Sequence, residues 1–282
     1  MIPQGVAEWL RQQGGGAVVS SRPAAGGCIN NGVHIETETG AAFFLKTNSH
    51  APADMFAREA EGLAALAATH TLRVPEVHLV EPGFLLLEDL QPAARAADYW
   101  QVLGRGLAQL HTHTSPQFGF AHDNYIGSTP QPNGWIADGF AFFAERRLGY
   151  QARLAHSRDL LTAAEAAAVE RLAARLPQLV PPQPASLLHG DLWAGNAIAD
   201  GYGAPALIDP AAYYGWAEAE LGMTALFGGF PAEFYMAYEA ERPLEPGWRG
   251  RLDLYNLYHL LNHLNLFGRS YHGQVMEIVR RY

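Results

Sequence analysis

The sequence predicts an α+β fold of two lobes, with an antiparallel five-stranded sheet and one helix in the first lobe and mainly helices in the second. Short β-type runs dominate up to about residue 90, interrupted by one helical segment, and longer runs with helical periodicity follow. The length of 282 residues and the hydrophobic content of 49% are enough for a full core. We therefore expect an N-terminal lobe of residues 1–90 and a C-terminal lobe of residues 91–282.

Local patterns place each element along the chain. In the first lobe we expect a helix at residues 54–70 and strands at 17–21, 33–37, 42–47, 76–80 and 84–88. In the second lobe two short strands lie between the third and fourth of five helices, which we expect at 97–112, 134–156, 162–176, 231–241 and 246–267. Thr162 and Glu165 form a capping box, Pro231 sits in a favoured first-turn position, and Gly268 follows the last helix as a stop.

Charge and composition exclude several classes of protein. The formal net charge of −9 argues against a nucleic-acid partner, because phosphates require a basic surface. Cys28 is the only cysteine, so an intramolecular disulfide is excluded, which fits a reducing compartment. The chain lacks an apolar run of the ~20 residues that span a bilayer, and its N-terminus lacks the features of a signal peptide. We expect a cytoplasmic protein, a monomer or weak homodimer, that does not bind a membrane.

Residues 189–196 read His-Gly-Asp-Leu-Trp-Ala-Gly-Asn, and Asp209 follows a second apolar run. Kinase-type sites use such an aspartate to accept a hydroxyl proton, and an asparagine and a later aspartate to hold magnesium. Short buried strands are expected just before each motif, and they would deliver Asp191, Asn196 and Asp209 to one edge of a packed core. A polar hairpin turn would leave these three metal-competent side chains unexplained. The pattern therefore predicts a phosphotransferase.

Lys46 is the only lysine among 19 basic residues. A chain so biased towards arginine keeps one ammonium where a compact point charge is needed, at the end of a predicted strand. Glu59 lies on the apolar stripe of the following helix, where a carboxylate needs a cation. We predict a Lys46–Glu59 pair that fixes the lysine against nucleotide phosphates. The alternatives are a leftover surface lysine and an edge glutamate that reaches solvent.

A glycine-rich segment that contains Gly26, Gly27 and Cys28 lies between the first two predicted strands, where a phosphate-covering loop belongs. It matches neither G-x-G-x-x-G nor the P-loop pattern, and a hairpin turn would use the same residues. Backbone amides in such a loop would lower the pKa of a thiol. We therefore hypothesise that Cys28 is redox-sensitive and forms an intermolecular disulfide; the alternative is a buried, inert cysteine.

These motifs resemble those of the fructosamine kinase (ketosamine 3-kinase) family, whose relatives include aminoglycoside phosphotransferases and choline kinases with the protein-kinase-like fold. The resemblance spans nearly the whole chain. It rests on Gly26-Gly27-Cys28, Phe44-Leu45-Lys46, Met55-Phe56 with Glu59, residues 188–196 with Trp193, Ile208-Asp209-Pro210-Ala211, Tyr214-Gly215, residues 226–231, Leu261-Asn262-His263 and Phe267-Gly268-Arg269.

The resemblance implies a role for each site residue. Asp191 would be the general base, Asn196 and Asp209 the Mg²⁺ ligands, and Trp193 an apolar wall for the sugar. On the nucleotide side, the residues implied to bind ATP are Lys46 with its orienting Glu59, the loop residues Gly26, Gly27 and Cys28, and a hinge of Leu87, Glu88, Asp89 and Leu90 whose backbone pairs with adenine. The first lobe would bind the nucleotide, and the second would carry catalysis and bind the substrate, a glycated amine that is a small molecule or part of a protein.

Other interpretations of the sequence stay open. The pairs His111/His113 and His259/His263 suggest a zinc site, but neither pair has a third ligand in a motif. In the last long helix, we expect tyrosines to pack in the core, whereas asparagines there are as apt to bind sugar as to be buried. A kinase of the same fold for an aminoglycoside, choline or another alcohol is the main functional alternative. A catalytically dead nucleotide-binding module is disfavoured by the intact motifs.

Overall fold

The computed structural model describes residues 2–24 and 31–282. Its N-terminal part is a five-stranded sheet in the order β1-β2-β3-β5-β4, and every neighbouring pair is antiparallel. The predicted α+β class with this sheet is therefore confirmed. The elements of this part are α1 (Gln4–Gln12), β1 (Val18–Pro23), β2 (Asn31–Thr37), β3 (Ala42–Thr47), α2 (Met55–Ala67), β4 (Val77–Glu81) and β5 (Phe84–Glu88).

Alternation along the strands gives the sheet two apolar faces. One face carries Leu45 and Leu86 and is covered by α1, which the sequence analysis did not predict. The other carries Leu85 and Leu87 and packs against α2. Lys46 follows Leu45 in β3, so its side chain points to the face that α2 covers. This alternation places the lysine beside Glu59.

The C-terminal part is mainly helical around one large core. Its first half contains α3 (Tyr99–Leu110), β6 (Thr114–Ser115), β7 (Asn124–Ile126), β8 (Thr129–Gln131), α4 (Gly139–Phe142), a π-helical turn (Phe143–Gly149), α5 (Tyr150–Ser157), α6 (Ala163–Ala173) and α7 (Leu176–Leu179). Its second half contains β9 (Ala185–Leu188), β10 (Ala197–Ala199), β11 (Pro205–Leu207), β12 (Tyr213–Gly215), α8 (Ala217–Leu226), α9 (Ala232–Glu241), α10 (Trp248–Phe267), a 3₁₀ turn (Arg269–Tyr271) and α11 (His272–Arg281).

Helix ends test the sequence signals individually. The capping box is confirmed, because the Glu165 amide donates to Thr162 Oγ1 and the Thr162 amide donates to the Glu165 carboxylate. Gly268 is confirmed as the stop of α10, at a φ of 86° that favours glycine. Pro231 lies at the N-cap of α9, one position before the predicted first turn. The helix expected at 134–156 begins only at Gly139, because the Asp138 carboxylate accepts from the Phe140 and Ala141 amides and caps it there.

Helices α8 and α11 were also missed by the sequence analysis. Residues of α8 are buried on all sides, so polar and apolar positions do not alternate along it. In the part of the chain that the structure describes, no helix is long and apolar enough to cross a membrane.

Candidate active site

A cleft of about 900 Å³ separates the five-stranded sheet from the helical part of the molecule. Phe44, Lys46 and Leu87 line it from the sheet. Asp191 and Asp209 line it from the helical part. The cleft therefore brings together the residues that the sequence analysis selected from distant motifs.

Short strands deliver the polar groups on the helical side. β9 ends just before His189, β10 begins just after Asn196, and β11 ends two residues before Asp209. β10 and β11 pair as an antiparallel hairpin, and the Ile208 amide donates to the Asn196 carbonyl at 3.1 Å. This pairing fixes Asn196 and Asp209 side by side at one end of the hairpin.

The backbone at both aspartate motifs is unusual. Asp209 has a φ of 57°, in the left-handed region that aspartate tolerates better than most residues. Gly190 has a φ of 86°, and a Cβ there would lie 2.1 Å from the Ala211 carbonyl oxygen. Only glycine fits this position, because the loop that carries Asp191 runs directly against the chain that follows Asp209.

Lys46 lies between two carboxylates. Its Nζ is 2.5 Å from Glu59 Oε1 and 2.5 Å from Asp209 Oδ1. The pairing of Lys46 with Glu59 that the sequence predicted is present, and the contact with Asp209 is additional. Burial opposes the positive charge, but the attraction of Asp209 and Glu59 outweighs it and raises the pKa of Lys46. The lysine is therefore a buried cation, which places a fixed positive charge in the cleft.

Asp191 combines a half-buried side chain with a like charge nearby. Burial is the main cause and the charge of Asp209 the second, and together they raise the pKa of Asp191 to about 7. The Asn196 amide nitrogen donates to the Asp191 carbonyl at 2.8 Å and lies 3.3 Å from its carboxylate. Asp191 is thus a carboxylate that can take up a proton near neutral pH.

Glu220 holds the loop that carries Asp191, and the sequence analysis missed it. Its carboxylate accepts from the His189 amide at 3.0 Å and from the Gly190 amide at 2.7 Å. His111, which the zinc interpretation used, is fully buried and lies 3.0 Å from the same carboxylate. Burial opposes the charge of Glu220, but the hydrogen bond from His111 and further contacts lower its pKa. The sequence feature that could have identified it is a glutamate within the mainly apolar run of α8.

The predicted hinge runs along the edge of the cleft, and its four residues Leu87, Glu88, Asp89 and Leu90 all line it. The Glu88 carboxylate lies 2.5 Å from Arg73, which also contacts Asp200 at 2.5 Å in the β10–β11 turn. The Asp89 carboxylate lies 2.7 Å from His34 Nδ1. Contacts of these side chains therefore connect the hinge both to the five-stranded sheet and to the β10–β11 turn of the helical part.

The far end of the cleft has an aromatic lining. Trp193 is 40% exposed and lines the cleft together with Tyr125, Phe227, His263, Phe267 and Tyr271.

The polar and aromatic residues of α10 can be compared with the expectations. Tyr255 and Tyr258 are buried in the core, as expected for tyrosines of this helix. Asn262 and Asn265 of the same helix are also buried; Asn262 borders the cleft, whereas Asn265 donates to Gln151 at 2.7 Å. Gly26, Gly27 and Cys28 lie outside the described residues.

Known protein families and relatives match this sequence over nearly its whole length. The family model described as fructosamine kinase matches residues 2–282. A probable ketoamine kinase from Synechocystis sp. is 45% identical over 265 residues, which cover 92% of this chain and 89% of that protein. The chloroplastic protein-ribulosamine 3-kinase of Arabidopsis thaliana is 40% identical over 286 residues, which cover 98% of this chain and 87% of that protein.

Solved structures agree with this result. A crystal structure of a proposed fructosamine-3-kinase from Thermobifida fusca YX-ER1 superposes with a TM-score of 0.89 at 31% identity, covering 99% of this chain and 98% of that one. Aminoglycoside phosphotransferase APH(4)-Ia superposes with a TM-score of 0.63 at 17% identity over 99% of each chain, and this likeness shows a shared protein-kinase-like fold. The chain belongs to the fructosamine kinase family.

Proposed function

We propose that this protein is an ATP-dependent kinase that phosphorylates the 3-hydroxyl of ketosamines on glycated amines. The observation that carries the proposal is that Asp191 shares one cleft with Asp209 and Lys46, which contact each other at 2.5 Å. A general base, an anionic metal ligand and a fixed cation are the groups that phosphoryl transfer needs. The names of the ketoamine kinase and ribulosamine 3-kinase relatives support this acceptor class.

In this proposal the nucleotide occupies the sheet side of the cleft. The backbone of residues 87–90 pairs with adenine, and Phe44 and Ile208, which both line the cleft, cover the base. Lys46 contacts the phosphates, and Glu59 holds the lysine in place. The glycines of residues 26–27 would cover the phosphates with their amides, as the sequence analysis expects.

Asp191 acts on the acceptor. It takes the proton of the 3-hydroxyl as that oxygen bonds to the γ-phosphorus of ATP, while the bond from phosphorus to the bridging oxygen breaks and ADP leaves. A pKa of about 7 suits a base that works near neutral pH. Trp193 offers its exposed ring to one face of the sugar. The ketosamine 3-phosphate then breaks down and frees the amine, which completes a deglycation.

Asn196 and Asp209 would hold Mg²⁺. Their oxygen atoms are the hard ligands that this ion prefers, and Mg²⁺ commonly uses one or two carboxylates together with substrate phosphates. Among residues 2–24 and 31–282, no group of three histidine, cysteine, aspartate or glutamate side chains could hold a metal alone. Asn196 and Asp209 line the cleft and offer two oxygen ligands, which fits an ion shared with the nucleotide. When bound, Mg²⁺ would neutralise charge on the transferred phosphate.

The test is a comparison of acceptors. The purified protein is incubated with Mg·ATP and ribulose-lysine, erythrulose-lysine, fructose-lysine, an aminoglycoside or choline, and products are identified by mass spectrometry. We expect phosphorylated ribulose-lysine followed by free lysine, with fructose-lysine slower. Phosphorylation of choline or the aminoglycoside alone would reject the ketosamine assignment and leave a kinase for another alcohol.

A further inference from the structure

Helix α2 presents a connected polar stripe beside the aromatic end of the cleft. We call this end, which is lined by Tyr125, Trp193, Phe227, His263, Phe267 and Tyr271, the acceptor end. Asp54, Arg58 and Glu61 follow one another at spacings of four and three, so their side chains lie on one helical face. Arg58 Nη1 lies 2.8 Å from both carboxylate oxygens of Glu61. Arg58 Nε lies 3.6 Å from the Asp54 carboxylate. The three side chains are therefore linked in series along one face of the helix.

Two residues of the helical part reach this stripe. The Tyr125 hydroxyl donates to Asp54 Oδ1 at 2.7 Å, and His122 Nδ1 lies 3.1 Å from Glu61 Oε2. Asp54 occupies the N-cap of α2, where an aspartate normally accepts from the first-turn amides. Of the described amides in that turn, none donates to its side chain. The helix thus forgoes a cap, and the carboxylate contacts Tyr125 and Arg58.

The segment that carries Tyr125 is also a wall of the cleft. Tyr125, Ile126 and Gly127 belong to the β7–β8 hairpin and line the cleft, as do Trp193 and His263 of the aromatic end. The hairpin and Asp191 therefore face the same cleft. The β7–β8 hairpin and α2 are thus joined by the Tyr125–Asp54 hydrogen bond.

The same helix carries the glutamate that contacts Lys46. Glu59 lies between Arg58 and Glu61 in sequence and contacts Lys46 at 2.5 Å. The helix also packs closely against the chain after Asp209, because a Cβ at Gly62 would lie 3.3 Å from Pro210. Asp54 and Glu59 are thus held on one continuous helix, at its N-cap and in its second turn.

We infer that Asp54 and Tyr125 are positioning residues that couple the acceptor end of the cleft to the Lys46–Glu59 pair, an inference that rests on the proposed function. An acceptor against the hairpin holds Tyr125, Tyr125 holds α2 through Asp54, and α2 keeps Glu59 on Lys46. Coupling between two sites is reciprocal, so the acceptor and the nucleotide should each tighten binding of the other by the same factor.

The test measures this factor directly. AMP-PNP with Mg²⁺ is titrated into the protein by calorimetry, with and without saturating ribulose-lysine. In the wild type we expect the acceptor to tighten AMP-PNP binding about fivefold, at the low end of typical coupling because the hydrogen bond is partly exposed. Tyr125→Phe should reduce the factor to about one. Tyr202→Phe removes the same hydroxyl from a side chain that is 90% exposed and should keep the wild-type factor.

A double-mutant cycle separates coupling from a general structural effect. Asp54→Ala should abolish the factor as Tyr125→Phe does, and the double variant should lose nothing further. Melting curves check that each variant is folded. A wild-type factor near one, or an unchanged factor in Tyr125→Phe, would overturn the inference.

Failure of the proposed function is seen separately, in the acceptor comparison. If the wild type phosphorylates choline or an aminoglycoside and not ribulose-lysine, the same titration is run with the acceptor that is used. Coupling lost in Tyr125→Phe then supports the inference without the ketosamine assignment, and unchanged coupling rejects it.

Discussion

The two sides of the cleft hold their charged groups by different means. On the sheet side, the Lys46 ammonium contacts the side chains of Glu59 in α2 and Asp209 in the opposite wall. On the helical side, the loop before Asp191 is held through its backbone, because the buried Glu220 accepts two of its amides. An ion pair between separate elements changes when those elements move, whereas a loop anchored by its amides keeps its shape.

This difference separates two kinds of effect. Changes at Lys46, or at Asp209 that contacts it, should alter how the nucleotide is held, whereas changes in the loop that carries Asp191 should alter the chemical step. Removing one partner of a buried pair also leaves an uncompensated charge, which costs about 3–5 kcal/mol. Substitutions that keep the charge or the shape are therefore the sharpest tests of the comparison.

The largest effect is expected at Asp191. Asp191→Asn should lower kcat by about 10³-fold or more while ATP binding stays largely intact, because a general base acts on the acceptor hydroxyl. Asp209→Ala should instead impair Mg²⁺-dependent nucleotide binding. Steady-state kinetics and calorimetric titration of Mg·ATP measure both, with Asp159→Asn at an exposed aspartate as the control. Equal loss of ATP binding in the two variants would contradict this division of roles.

A smaller but still large effect is expected at Lys46. Lys46→Arg keeps the positive charge but replaces a point charge with a planar fork in a buried site between two carboxylates. We expect activity to fall at least tenfold with a folded protein, as judged by a melting curve. Arg171→Lys, at an exposed position, is the control for exchange of the two cations. Turnover near that of the wild type would mean that Lys46 serves only as a charge.

Glu220 allows a matched comparison within α8. Glu220→Gln leaves one acceptor oxygen for two loop amides, and an unsatisfied buried amide costs about 1–3 kcal/mol of stability. We expect kcat to fall roughly fivefold with KM for ATP unchanged, because the Asp191 loop is displaced. Glu218→Gln is the control, since Glu218 is equally buried but contacts Arg251 and Tyr255. It should lose stability without this loss of kcat, and equal kcat losses would reject the anchoring role of Glu220.

The sequence was most informative where chemistry restricts the residue type. The motif around Asp191, the single lysine and the glutamate on an apolar stripe could each be recognised locally, and the cleft brings these residues together. The antiparallel sheet followed from alternating runs in the first ninety residues. These predictions depended on short-range patterns, which a single sequence displays directly.

What the sequence did not show depends on tertiary contacts. α8 is buried on every side, so its pattern resembles that of a buried strand or loop. The contact between Lys46 and Asp209 joins residues 163 positions apart, and no local pattern reports such a distance. The same holds for Tyr125 with Asp54. The lobe boundary and the roles of individual site residues stay predictions that the substitutions above address.

The smallest effect concerns stability and tests whether the helical side is as rigid as its buried groups suggest. His259 in α10 is 5% exposed, and its Nδ1 has no hydrogen-bond partner among the described residues. Burial first, and then the charges of His263 and Arg147, lower its pKa from 6.5 to about 3. Between these pH values the unfolded chain binds a proton that the folded protein excludes. Stability from this group is therefore complete above pH 6.5 and falls as the pH drops towards 3.

The stability that this group contributes should fall by about 1 kcal/mol between pH 6.5 and 5.5, and the slope approaches about 1.4 kcal/mol per pH unit below that range. His259→Phe removes the titrating group and keeps an aromatic ring, so the free energy of unfolding should change by about 1 kcal/mol less between pH 6.5 and 5.5. Urea denaturation at several pH values measures it, with His113→Phe at an exposed histidine as the control. The comparison is between slopes, so a lower stability of the variant at pH 7.5 does not affect it. An unchanged slope in His259→Phe would show that the core around α10 admits a proton, and that the helical side is less rigid than its packing implies.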